Sequence, residues 1–344
     1  MSHVVKHRFL RGLDCLLRNI PDVFLFSPVN DRGERLDGFL QVLRKLRGSQ
    51  KSADVQTIRA GFARDMKAMR HGYPISDVKD FTVAGCAVRL YRPANAQPVT
   101  ALYFHGGGFV MGDLETHDDA CRLLAEKSGV SLLAVNYRFA PEHPIPAAIE
   151  DAENVLIWAI ENLTGQSIAV AGDSAGANLA AVLCRRAAEK NIPLLAQLLM
   201  YPGTDMITPR DSHSLFAEGY FLNKAERDIF YSSYLPAGAD RHAADISPLL
   251  HRVPEGIAPA ITVTAGFDML RDEGMAYANQ MYHTNRASKH LHFGTLGHAF
   301  INMAGVHKAS EQALCDIAVE WRVLLDQQLA KQSATRPATH PSKQ

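Results

Sequence analysis

Gly172-Asp173-Ser174-Ala175-Gly176 follows the apolar run Ile168–Ala171 and opens an alanine-rich helical pattern from Asn178 to Glu189. Strand, G-x-S-x-G and helix in that order predict a nucleophile elbow. A sharp turn lifts the Ser174 hydroxyl above a sheet, and glycine at Gly172 and Gly176 lets strand and helix approach without a Cβ clash. The pentapeptide alone is a weak signal, since glycine at about 7% of residues yields the pattern by chance in roughly one chain in ten of this length. Its setting adds weight. A second motif, His105-Gly106-Gly107-Gly108, directly follows the apolar run Thr100–Phe104. Glycines there suit a tight strand-to-loop turn, and they also suit a loop whose backbone N–H groups meet a developing negative charge. Gly106 to Gly112 does not fit the G-x-G-x-x-G of a dinucleotide site.

Further runs rich in β-branched and apolar residues lie at Ala87–Tyr91, Ser131–Tyr137, Ala196–Tyr201, Ile261–Ala265 and Leu291–Thr295. Helical patterns at Thr116–Ser128, Ile145–Asn162, Ala175–Glu189, Asp272–Asn285 and Lys308–Leu329 alternate with most of them. This rhythm predicts an α/β fold with a mostly parallel sheet covered on both faces. Two regions break it. Residues 1–75 read as helical around a polar break at Gly48–Ser52, and residues 205–250 are inserted between strands. The organisation read from the chain is therefore an N-terminal part of a helical cap (1–75), a core in two parts (76–204 and 251–331) and a cap insertion (205–250). The tail 332–344 lacks periodic apolar positions and is expected to be disordered.

The 344 residues are 47% hydrophobic, and 36 basic residues balance 36 acidic ones. That balance gives no electrostatic footprint for nucleic acid or for an anionic membrane. No apolar run approaches the roughly 18 residues of a membrane span, and Arg11, Asp14 and Arg18 interrupt any signal-peptide core, so a cytoplasmic protein without stable membrane insertion is expected. Cys15, Cys86, Cys121, Cys184 and Cys315 are scattered, odd in number and without a C-x-x-C pair, which reads as reduced thiols. Cys184, in the elbow helix, is expected to be a small buried apolar residue. There is no internal repeat, P-loop, H-E-x-x-H or zinc-type cysteine pattern.

A serine hydroxyl needs a base within hydrogen-bond reach, and the base needs an orienting carboxylate. After an elbow serine these follow in the order acid, then histidine, on loops beyond later strands. Asp268 follows the run Ile261–Ala265 and His298 follows Leu291–Thr295, which makes them the natural partners. Asp272 is the rival acid, but it lies farther from its strand end and suits the first turn of the following helix. His117, His143 and His292 have structural readings, and His105 is expected to shape its glycine loop. The expected oxyanion hole consists of the N–H groups of Gly106, Gly107 and Ala175, with His105, Gly108, Gly172, Asp173 and Gly176 as supporting motif residues.

With these motifs in view, the chain resembles the hormone-sensitive-lipase family of α/β-hydrolases, especially bacterial acetyl-esterase-like members with a GDSAG elbow. The resemblance covers most of residues 80–325 and extends through Gly112–Asp118, Tyr137–Pro144 and Asp268–Gly274. It implies an α/β-hydrolase fold with a helical cap and a carboxylesterase that needs neither metal nor cofactor. It also implies small-molecule esters with acyl groups from acetyl to roughly hexanoyl, a size limited by pocket volume. Tyr220, Phe221 and Leu222 in the insertion are candidates to line that pocket. The resemblance further implies a homodimer formed through an edge strand, for which Leu291–Thr295 is the candidate. Met269 stands where relatives often carry proline and Ala299 where many carry glycine, departures that touch loop shape but no reacting group. The same chemistry serves amide deacetylation, and plant gibberellin receptors use this fold with a defective triad for binding alone.

Overall fold

Val99–Phe104 and Ala260–Phe267 are buried along their whole length, and Ser167–Asp173 at all but its first residue, the condition of strands covered on both faces. A computed structural model describes residues 3–18, 27–47 and 54–335. Its elements begin with α1 (His3–Arg18), α2 (Gly38–Arg47) and α3 (Val55–Met69). The core then runs β1 (Asp77–Val83), β2 (Cys86–Arg92), β3 (Val99–Phe104), α4 (Asp118–Ser128), β4 (Ser131–Asn136), α5 (Ala147–Asn162), β5 (Ser167–Asp173), α6 (Ala175–Glu189) and β6 (Gln197–Met200). The insertion carries α7 (Asp211–Leu215) and α8 (Lys224–Tyr234), and β7 (Ala260–Phe267), α9 (Arg271–Thr284), β8 (Lys289–Gly297) and α10 (Lys308–Thr335) complete the described residues.

The sheet has the order β1-β2-β4-β3-β5-β6-β7-β8. From β4 to β8 all neighbours are parallel, while β2 runs against both β1 and β4. The ends of β3, β5, β7 and β8 therefore emerge on one side, where a parallel α/β sheet holds its ligands. Each run read as a strand forms one, with ends shifted by no more than two residues. The unanticipated strand is β1, a charged, largely exposed edge strand joined to β2 by a two-residue turn at Ala84 and Gly85, both with positive φ.

Helix α6 packs on β5, and its Ala177, Ala180 and Ala181 are all fully buried. Helix α10 packs against α4, with Trp321, Leu324 and Leu325 fully buried. It continues past Leu329 to Thr335, so the expectation of disorder from Gln332 onward is corrected for 332–335. Ser167 Oγ donates to Gln332 Oε1 at 2.9 Å, a tertiary contact that holds the last turn where the apolar pattern has ended. Residues 336–344 and the Gly48–Ser52 break lie outside the described residues. Among the described residues no helix is long and apolar enough to cross a membrane.

Candidate active site

Ser174 sits between β5 and α6 with φ 52° and ψ −119°, a conformation that costs a non-glycine residue about 1–3 kcal/mol and persists only when its surroundings over-determine it. They do so here. A Cβ at Gly172 would meet Gly176 and Phe104 backbone, and one at Gly176 would meet the carbonyls of Phe104 and His105. The Ser174 N–H donates to Met200 O at 2.8 Å. The hydroxyl is thereby held above the ends of β3, β5 and β6.

His298 and Asp268 follow the ends of β8 and β7, and both are buried. His298 Nδ1 lies 2.8 Å from Asp268 Oδ2, and His298 Nε2 lies 2.9 Å from Ser174 Oγ. A carboxylate only accepts, so the assigned tautomer carries its proton on Nδ1 and leaves Nε2 free to accept from the serine hydroxyl. Asp268 Oδ1 accepts from the Leu270 N–H at 2.8 Å, which fixes the carboxylate plane. The Tyr201 ring flanks His298 at 4.9 Å between centroids. Asp272 faces elsewhere: it accepts from the Ser212 N–H at 2.9 Å and pairs with Arg271, tying α7 to the start of α9.

The glycine loop departs from the expected assignment at one residue. The Gly106 N–H donates to Asp173 Oδ1 at 2.8 Å and is not presented to the cleft. The same oxygen accepts from the Tyr103 hydroxyl at 2.7 Å. Burial opposes ionisation of Asp173, but nearby His117 and the bonds from Tyr103 and Gly106 outweigh it and hold the carboxyl below its ordinary range. Gly107 and Gly108 come next in line. His105 Nδ1 lies 2.9 Å from Gly106 O, and the Val110 and Met111 N–H groups both donate to Gly107 O at 3.0 Å. A peptide is planar and trans, so pinning these two carbonyls turns the N–H groups of Gly107 and Gly108 to the opposite side. Gly107 and Gly108 have φ of 123° and 61°, values that favour glycine.

His105 contacts its own glycine loop. Its ring is fully buried, stacks on Tyr137 at 4.5 Å and is pushed down to about 4 by burial, so the imidazole is neutral at ordinary pH. His117 is buried and its Nε2 lies 3.2 Å from Asn302 Nδ2, His292 Nε2 lies 2.7 Å from Glu34, and neither touches Ser174. Cys184 is buried, and desolvation raises its thiol pKa, as expected of an inert apolar residue.

Residues of the insertion and of the N-terminal helices reach this site. Phe221 abuts Gly297, next to His298, while the Tyr220 ring stacks near Phe267 under Arg44, and Leu222 is buried. Phe230 packs against Gly108, and Tyr234 stacks on Phe109 with centroids 3.8 Å apart. Neither Phe230 nor Tyr234 stood out in the sequence, because their helical spacing is that of any packed face.

Residues 101–302 match a family model described as the alpha/beta hydrolase fold. The chain belongs to the α/β-hydrolases. With its H-G-G-G loop and GDSAG elbow it is a member of their hormone-sensitive-lipase branch. This hydrolase is 38% identical to the carboxylic ester hydrolase LipN of Mycobacterium tuberculosis over 79% of its own chain and 78% of that protein. It is 36% identical to an ethyl acetate hydrolase of Pseudomonas putida, over 66% of its chain and 75% of that one. Among solved structures, a hyperthermophilic esterase from the archaeon Pyrobaculum calidifontis superimposes with a TM-score of 0.79 at 31% identity, covering 86% of this chain and 99% of the other.

Proposed function

We propose that the chain is a serine carboxylesterase acting on short- to medium-chain acyl esters. The observation that carries this reading is the continuous hydrogen-bond path from Ser174 through His298 to Asp268, beside the Gly107, Gly108 and Ala175 amides. Ser174 Oγ attacks the ester carbonyl carbon as His298 Nε2 takes its proton, and the carbonyl oxygen becomes an oxyanion facing those three N–H groups. The intermediate collapses by breaking the bond to the alcohol oxygen, which receives the proton from His298. Water then attacks the acyl-serine, His298 again takes and returns a proton, and the carboxylic acid leaves. Asp268 holds the tautomer and stabilises the imidazolium. Gly108 replaces Gly106 in this assignment, because the Gly106 amide is spent on Asp173.

Residues 1–75 and 205–250 are assigned as the cap, with Tyr220, Phe221, Leu222 and Phe230 limiting the acyl group. The LipN and ethyl acetate hydrolase relatives support ester over amide substrates. The exposed edge of β8 is assigned to a homodimer contact, which light scattering giving a one-chain mass would refute. Buried thiols such as Cys121 and Cys184 suit a reducing, cytoplasmic setting, checked by cell fractionation.

The test is hydrolysis of p-nitrophenyl esters from acetyl to dodecanoyl, beside Ser174→Ala and intact-mass detection of an organophosphate adduct. The expected result is activity peaking on short chains, Ser174-dependent labelling, and loss of turnover in a variant that still folds. Preference for matched anilides would establish an amidase instead, and neither turnover nor labelling would establish a receptor.

A further inference from the structure

Arg59 belongs to α3, remote in sequence from every residue of the site, yet its guanidinium ends on the glycine loop. Nε donates to Val110 O, Nη2 donates to Ala140 O at 2.8 Å, and Nη1 and Nη2 each hold a Glu142 oxygen at 2.7 Å. The guanidinium also stands 5.9 Å from the Phe139 ring centroid. Its planar fork thus spends its donors on two loops at once, a geometry that the point charge of lysine cannot reproduce. The two loops are stitched to each other by the Ala140 N–H, which donates to Phe109 O at 2.9 Å.

The gripped carbonyl is at a decisive place. Val110 is the residue whose N–H, with that of Met111, pins Gly107 O and so aims the Gly108 N–H. Phe109, between them, has a φ of 63°, in the left-handed region that a side-chain-bearing residue adopts only when held there. Tyr234 stacks on its ring from the insertion, and Arg59 closes the loop from the N-terminal helices.

We propose that Arg59 is a positioning residue for ester hydrolysis: it acts through the Val110 carbonyl to hold the Gly108 amide toward the developing oxyanion. The proposal rests on the serine-esterase reading. On it, the third N-terminal helix contributes to transition-state stabilisation and not only to cover. Glu142 is the exposed counter-ion that orients the fork, while the carbonyl contacts aim the amide.

The experiment compares wild type, Arg59→Met, Arg59→Lys, Glu142→Gln and Ser174→Ala on p-nitrophenyl acetate. It also measures inhibition by an alkylboronic acid, which forms a tetrahedral adduct on serine. Misplacing a donor by about 1 Å costs on the order of 100-fold, so Arg59→Met is expected to lower kcat by roughly 10- to 100-fold with KM within about twofold of wild type. That pattern marks an interaction made in the transition state. Boronate affinity should fall by the same factor, a readout that a helix-anchoring role would not move. Arg59→Lys should fall in between, and Glu142→Gln should stay within about threefold of wild type, since exposed ion pairs contribute little.

Arg59→Met with kcat within about threefold of wild type, or with lowered kcat but unchanged boronate affinity, would overturn the proposal. Should the methionine variant fail to fold, Arg59→Lys decides it: wild-type kcat and boronate affinity there would overturn the proposal equally. Failure of the underlying esterase reading is recognised separately, by turnover in wild type that Ser174→Ala does not abolish.

Discussion

Asp268, directly after β7, and Asp272, in the first turn of α9, are both aspartates, and environment divides them. Asp268 Oδ2 accepts from His298, and its other oxygen takes a backbone N–H. Asp272 is committed to the Ser212 N–H and to Arg271. Asp268→Asn should therefore lower kcat on the order of 10,000-fold, as an amide favours the wrong histidine tautomer, with little change in thermal midpoint. Asp272→Asn should reverse the pattern, leaving kcat near wild type while loosening α7 and lowering the midpoint. Equal kcat losses in the two variants would contradict the assignment. The meeting of Ser174, His298 and Asp268 was legible in the sequence because each follows a readable strand. The proposed donor set was legible only in part. H-G-G-G announces a loop that turns its amides inward, but which amide stays unpaired depends on the Asp173 carboxylate, which reaches Gly106 only once β3 and β5 lie side by side.

Among the elements, α8 shows how the insertion acts on the site. It opens with a capping box in which Asn223 accepts from the Glu226 N–H at 2.9 Å and Glu226 reaches back to the Asn223 N–H. About two turns later the same helix presents Phe230 to Gly108, and one turn beyond that Tyr234 to Phe109. Asn223→Ala removes the cap and should destabilise the helix by about 1 kcal/mol. Hydrogen exchange should quicken across residues 224–234 while the amides of β5 and β7 stay protected. Uniform acceleration throughout the sheet would show instead that α8 unfolds only with the whole protein. The β strands of the core were legible because continuous apolar runs between helices have few other readings. Edge strand β1 was not, since Asp77, Lys79 and Asp80 are placed by pairing with β2 and not by burial. Arg59 was invisible for a related reason: on the helix pattern it is one more exposed basic residue, and only the tertiary fold brings Val110 and Glu142 to its fork.

Across the whole molecule, one fully buried carboxylate joins the N-terminal helices to the core. Asp118, at the start of α4, takes Arg122 Nε at 2.7 Å from its own helix, Arg89 Nη1 at 3.2 Å from β2, Arg70 Nη2 at 2.5 Å from the end of α3, and the Tyr91 hydroxyl at 2.9 Å. Glu115 adds acceptors for Arg89 and Arg70 at its rim. Burial alone would raise the Asp118 pKa, but Arg122, Arg70 and the Tyr91 hydroxyl more than offset it and hold the carboxyl below its ordinary value. A carboxylate whose folded pKa is depressed binds its proton more readily in the unfolded chain. Its stabilisation is therefore complete above the ordinary aspartate pKa of about 3.9, and is lost as the pH falls through the lower folded value. Asp118→Asn leaves three guanidinium groups short of a charge, and because these are partly exposed and Glu115 still pairs with Arg89 and Arg70 the cost falls below the ~3–5 kcal/mol of a fully buried pair broken on one side. The variant should unfold at a clearly lower temperature at pH 7, and its midpoint should depend less steeply on pH between about 5 and 3 than that of wild type. Parallel curves over that interval would mean that other carboxylates carry the acid sensitivity. Turnover of the folded variant at pH 7 should stay near wild type, because the Asp118 network joins α3, β2 and α4 without touching Ser174, His298 or the Gly107–Gly108 amides.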